Sequence, residues 1–147
     1  MPTQNNNNPI TYFDSAILAD DVYKDPNDRG VNGWGSTDNE DATNFDSGLQ
    51  LQNYQNESHP NHTVIAIAGT NGLSDWDDNT SFVTGGLSEQ FQQALTHVAQ
   101  TINSNFETSA QNKVEPSTFS VTGHSLGGGI AQVVAHTFGL NGAALNN

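Results

Sequence analysis

The sequence predicts an α/β fold, a three-layer sandwich with a mostly parallel sheet, and three observations predict it. Thr63-Val64-Ile65-Ala66-Ile67-Ala68 is a continuous, β-branched apolar run, the pattern of a strand buried on both faces. Two amphipathic stripes, one beginning at Leu87 and one at Ile130, are set between strand-like segments. A glycine-dense turn, Gly123 to Gly129, joins a short strand to the second stripe. Strands separated by helices require a sheet with helices on its faces. The chain of 147 residues has room for one domain with one core.

The elements follow in order. Residues 1–9 read as a disordered polar tail, because an Asn run buries too little area to offset its ordering entropy. Pro9 suits the first turn of a helix. Ile10, Phe13, Ile17 and Leu18 then recur at helical spacing, Val22 closes the stripe, and Pro26 ends it. Residues 25–47 are rich in Gly, Asn and Asp and read as an irregular loop holding Trp34 and Phe45. Leu49, Leu51 and Tyr54 mark a strand, Asn56–Asn61 a turn, and the 63–68 run completes a hairpin. A second long loop covers 69–86. Leu87, Phe91, Leu95, Val98 and Ile102 form the next helical stripe, with Phe106 nearby and His97 off the stripe and exposed. Phe119 and Val121 alternate in a short strand. Ile130, Val133, Val134 and Phe138 mark the last helix, which Gly139 caps. Leu140–Leu145 opens a further strand.

Composition narrows the partners. Three basic residues, Lys24, Arg29 and Lys113, face sixteen acidic ones, for a formal charge of -13. Phosphate neutralisation needs clustered Lys and Arg, so no nucleic-acid partner is expected. Electrostatic docking on anionic membranes is disfavoured for the same reason. No run reaches the roughly 18 apolar residues of an integral membrane segment. The N-terminus lacks the basic and apolar regions of a signal peptide. With no cysteine, thiol catalysis, disulfides and Cys-ligated zinc are excluded.

The chemistry lies in Val121-Thr122-Gly123-His124-Ser125-Leu126-Gly127-Gly128-Gly129. This is G-x-S-x-G between a strand and a helix, the context of a nucleophile elbow. A serine exposed on a sharp strand-to-helix turn is strained, and neighbouring side chains would clash there. Gly123 and Gly127 remove those clashes. The helix start behind Ser125 aims N–H groups at developing negative charge, and the N–H of Leu126 is placed to bind an oxyanion. His124 reads as packing behind the turn. The alternative is a glycine-rich turn with an incidental serine. A phosphate-binding loop is a poorer reading, because no Lys follows the glycines.

With GHSLGG at 123–128, IAIAGT at 65–70 and Asp75-Trp76 in between, the chain resembles the class 3 lipases, the fungal triacylglycerol lipase type, and their bacterial relatives. The resemblance spans roughly residues 10–147. It implies an α/β-hydrolase fold and hydrolysis of lipid or other small carboxylic-ester substrates, with no cofactor. Ser125 matches the family nucleophile. Thr70 matches the residue that supplies the first oxyanion donor, and Leu126 the second, through its backbone. Ala68 stands where many relatives have Arg. The 75–86 loop leads in the family towards the segment covering the site, where Trp76, Phe82 and Val83 could contact substrate. The residues agree on Thr70, because it ends a buried strand taken to run parallel to that of Ser125. Active sites of open α/β sheets lie at that edge.

Asp75, Asp77 and Asn79 occupy positions 1, 3 and 5 of an EF-hand pattern, but Thr80 replaces its Gly and Gly86 its bidentate Glu. A solvated acidic loop is the expected reading and no metal is assigned.

A serine nucleophile needs a base, and the base an orienting acid. After Ser125 there is no Asp or Glu, and His136 is the only histidine. Eleven residues along one helix place His136 about 16 Å away. His59 and His62 lie roughly 20 Å off, at the far end of the strand leading to Thr70. The expected account is a fragment, the N-terminal portion of the hydrolase domain ending shortly after the nucleophile helix, very weak as an esterase and prone to self-association. The alternatives are a catalytically inactive binding module and an acidic secreted calcium-binding protein. Acidic, cysteine-free chains without an N-terminal signal suit bacterial export, which gives a lean to an extracellular location.

Overall fold

In the computed structural model, residues 10–36, 45, 47–69 and 87–145 are described. Helix α1 (Tyr12–Asp21) is followed by a 3-10 turn at Pro26–Asp28 and strands β1 (Trp34–Ser36), β2 (Gln50–Asn56) and β3 (His59–Ala68). Helix α2 (Leu87–Asn112), strand β4 (Thr118–His124), helix α3 (Leu126–Phe138) and strand β5 (Asn141–Leu145) complete the order. The described strands form one sheet in the order β1-β2-β3-β4-β5. The β1-β2 and β2-β3 pairs are antiparallel, and β3-β4 and β4-β5 are parallel. The sheet is therefore mixed, with its parallel half where the helical crossovers fall.

Strand alternation divides the core into two layers. Ile65 and Ile67 face one side, with Leu49, Leu51 and Val121, and pack against Ala94 and Val98 of α2 and Ile130, Ala131 and Val134 of α3. Val64, Ala66 and Ala68 face the other side, with Tyr54, under Leu18 and Val22 of α1. The double-sided burial read from residues 63–68 is thus the middle of three layers. Its ends meet the same sheet edge: in the parallel β3-β4 register, Ile67 lies beside Gly123.

Several expectations are corrected. Phe13 is not a core residue but is 73% exposed, as α1 turns Ser15, Leu18 and Ala19 inward. The reason is close approach: Thr122 of β4 donates from its hydroxyl to the Ser15 carbonyl, and a large side chain at position 15 would prevent that. The helix starts at a capping box, Thr11 with Asp14, and ends before Pro26, which opens the 3-10 turn. The 25–47 loop contains strand β1, which pairs Trp34 with Asn56 and Ser36 with Tyr54. The turn expected at Asn56–Asn61 shrinks to Glu57-Ser58, because β3 already starts at His59. Phe106 is 61% exposed. The glycine turn narrows to Ser125, since Gly127, Gly128 and Gly129 are helical. Gly139 caps α3 as expected, at φ 68°.

Candidate active site

Ser125 sits between the last residue of β4 and the first of α3, at φ 58° and ψ −123°. A non-glycine residue at positive φ outside the left-handed helical well costs about 1–3 kcal/mol and persists only where its surroundings over-determine it. Serine in this position usually caps the helix through its hydroxyl. Ser125 makes no such side-chain capping bond, and it is exposed. A helix-capping role therefore does not account for it.

The surroundings that hold the turn are glycines. A Cβ on Gly123 would lie 2.3 Å from the Gly127 carbonyl oxygen. A Cβ on Gly127 would lie 2.1 Å from the Ile67 carbonyl oxygen. Both contacts are with backbone that cannot yield as a side chain can. The first turn of α3 is thereby pressed onto the ends of β3 and β4. Gly69, just past β3, is buried under Leu126, where a Cβ would come within 2.7 Å of the Leu126 Cγ. Gly69 immediately precedes Thr70, so the chain leaves β3 against the residue whose N–H is the candidate oxyanion donor.

Helix geometry leaves the Leu126 N–H without an intrahelical acceptor. The Gly129 N–H closes the first turn onto the Ser125 carbonyl at 3.2 Å. The Tyr23 phenol donates to the carbonyl of His124 at 2.8 Å. Burial pushes the Tyr23 phenol above its usual range, with the nearby Gly127 backbone pulling partly back. The His124 ring stands edge-on to the Tyr23 ring, with centroids 6.2 Å apart. Tyr23 is the site residue that sequence reasoning missed. It lies one residue past the α1 stripe, and no local pattern links it to a turn about a hundred residues away.

The other histidines lie away from this turn. His136 is exposed in the last turn of α3. His62 lies at the opposite end of β3, beside Thr118. Its ring is buried between the hydroxyls of Thr118, 2.6 Å from Nδ1, and Ser120, 2.9 Å from Nε2. Burial, with His59 adding to it, lowers its pKa to about 4. His97 is not exposed, contrary to expectation. It is half-buried against Phe45, its Nε2 is without a hydrogen-bond partner, and burial lowers its pKa. The Phe45 and His97 rings help line a concavity of about 540 Å³ over α2, which includes Glu89, Gln93 and Thr96 but no residue of the Ser125 turn. Thr70, Trp76, Phe82, Val83 and the Asp75–Asn79 segment lie outside the described residues. Among the described residues no helix is long and apolar enough to cross a membrane.

The phospholipase-like family described as the Tle-like phospholipase domain matches residues 14–147. The chain is 30% identical over 141 residues to an extracellular phospholipase A1 of Serratia liquefaciens, a match covering 89% of this chain. The chain spans 40% of that curated relative's length. It is also similar to the crystal structure of a mutant form of MDLA from Penicillium cyclopium, at 17% identity and a TM-score of 0.47, over 84% of this chain and 53% of the other. The family match takes in all five described strands, both crossover helices and the Ser125 turn. The chain belongs to the Tle-like phospholipase domain family, a group of lipase-related proteins.

Proposed function

We propose that the protein is a serine hydrolase of phospholipid carboxylic esters, with Ser125 as its nucleophile. The observation that carries this reading is Ser125 itself, exposed and strained at φ 58°, with no capping bond, on a turn where Gly123 and Gly127 admit no Cβ. The family supplies the substrate class: both the matching domain and the Serratia relative are phospholipases by description. In the reaction, the Ser125 hydroxyl oxygen attacks the acyl carbonyl carbon while a base removes its proton. The resulting oxyanion is held by the Leu126 N–H and by Thr70. The tetrahedral intermediate collapses to an acyl-enzyme and expels the lysophospholipid alcohol, which takes up the proton. Water then enters by the same route and frees the fatty acid.

The base and its orienting acid are assigned to protein corresponding to the rest of the relative's length, since past Ser125 this sequence offers only the exposed His136 and no Asp or Glu. The same observation favours a second reading, a non-catalytic lipid-binding module on the same fold. Secretion fits the extracellular relative. Fatty-acid release from phosphatidylcholine vesicles by the full-length protein, with and without Ser125→Ala, separates the two. Release that disappears in the variant is the expected result. Vesicle binding without release would favour the binding module.

A further inference from the structure

We propose that Tyr23 is the positioning residue of the Ser125 turn, its hydroxyl fixing the peptide that enters Ser125. The proposal rests on the reading of Ser125 as nucleophile. The phenol donates to the His124 carbonyl at 2.8 Å, which belongs to the peptide entering Ser125. Rotation of that plane would change ψ of His124 and φ of Ser125, so holding its carbonyl holds the φ of 58° that exposes the serine hydroxyl. Oxyanion donors act by being aligned before charge develops, so a few degrees of freedom here matter to the transition state and little to substrate binding.

Tyr23 is itself held from both sides. The Arg29 guanidinium donates to the carbonyl of Val22 at 2.9 Å and to that of Lys24 at 3.1 Å, the residues flanking Tyr23. Asp21, buried at the end of α1, accepts from the Tyr54 hydroxyl at 2.7 Å and from the Gly30 N–H at 3.1 Å. The Thr122 hydroxyl ties α1 directly to β4. The ring edge of His124 packs on Tyr23 as well, so the tyrosine ring can stay in place when only its hydroxyl is removed. Its burial keeps the phenol protonated, and only the protonated form can donate to the carbonyl.

The test uses the full-length protein and a soluble short-chain ester. Tyr23→Phe should lower kcat at least tenfold, leave KM within twofold and shift Tm by no more than a few degrees. In a second arm, a fluorinated tyrosine of lower phenol pKa is incorporated at position 23. It should match wild-type kcat at low pH and lose activity as the phenol ionises, moving the alkaline limb of the kcat profile downward. A purely structural tyrosine would not move that limb. Ser125→Ala is run alongside. If it abolishes turnover while Tyr23→Phe keeps kcat within twofold, Tyr23 has no positioning role and the nucleophile assignment stands. If Ser125→Ala keeps turnover, both assignments fall. Should Tyr23→Phe not fold, an unmoved alkaline limb in the fluorinated protein overturns the proposal by itself.

Discussion

Replacing Gly127 by alanine tests the geometry of the site most sharply. The added Cβ would lie 2.1 Å from the Ile67 carbonyl oxygen, about 0.9 Å inside the 3.0 Å that real Cβ atoms keep. The obstacle is backbone of a strand paired on both sides, so neither a rotamer change nor a local side-chain shift relieves it. The first turn of α3 must move off β3 by most of an ångström. Overpacking typically costs about 1–3 kcal/mol, and a backbone clash belongs at the upper end. For a domain of this size, about 3 kcal/mol corresponds to a fall in Tm of roughly 6–12 °C. The same shift moves Ser125 and the Leu126 N–H relative to the end of β3, and a misplacement of about 1 Å can lower turnover on the order of 100-fold. Gly129→Ala, two residues along the same helix, is the control, since nothing lies within 4 Å of its Cβ position. In helical backbone that change should stabilise by about 0.4–1 kcal/mol. Urea unfolding, with the m-value checked, gives both numbers. If Gly127→Ala unfolds within about 1 kcal/mol of wild type and retains its activity, the pressed contact between α3 and β3 is not real.

Other outcomes follow from single residues. Ser125→Gly should raise stability by about 1 kcal/mol, because glycine adopts φ 58° without strain, while Ser125→Ala should not; paired thermal melts compare them. Thr70→Val should lower kcat of the full-length protein by about 10²–10³ with little change in KM, the signature of a lost oxyanion donor. An unchanged kcat would move that donor elsewhere. His62 has its pKa lowered to about 4 from 6.5, so the folded state prefers the neutral ring. Its contribution is present above pH 6.5 and is lost as pH falls through about 4. The Tm advantage of wild type over His62→Gln should therefore shrink across that window. The sixteen acidic residues are common to both proteins and drop out of the difference.

The fold was legible wherever hydrophobic period and glycine position agreed. Residues 63–68 announced the central strand, because a strand covered on both sides is apolar at successive positions, as Val64 to Ala68 are. The Ser125 turn was legible from Gly123 and Gly127, and their Cβ clashes supply the reason. Strand β1 was not legible. Trp34-Gly35-Ser36 is three residues long, half-buried to exposed, and held by pairing to β2 and by the Gln52 amide on the Ser36 hydroxyl, neither of which leaves a local pattern. The buried face of α1 misled because it is lined by small residues, Ser15 and Ala19, whose value lies in letting the helix approach Thr122. Gln90 is fully buried in α2 because its amide reaches the Ser47 carbonyl, and His97 is covered by Phe45. Both depend on a loop whose course the helical period does not encode. Tyr23 belongs to the same class, since its role exists only once α1 lies over β4.

The nucleophile assignment is tested most directly by labelling the full-length protein with a fluorophosphonate and locating the adduct by mass spectrometry. Between Lys113 and Asn147 the sequence has no Lys or Arg, so tryptic cleavage after Lys113 places Ser125 in a peptide beginning at Val114. One adduct is expected, on Ser125, formed by wild type and absent from Ser125→Ala. An adduct on another residue, or equal labelling of the two proteins, would contradict it.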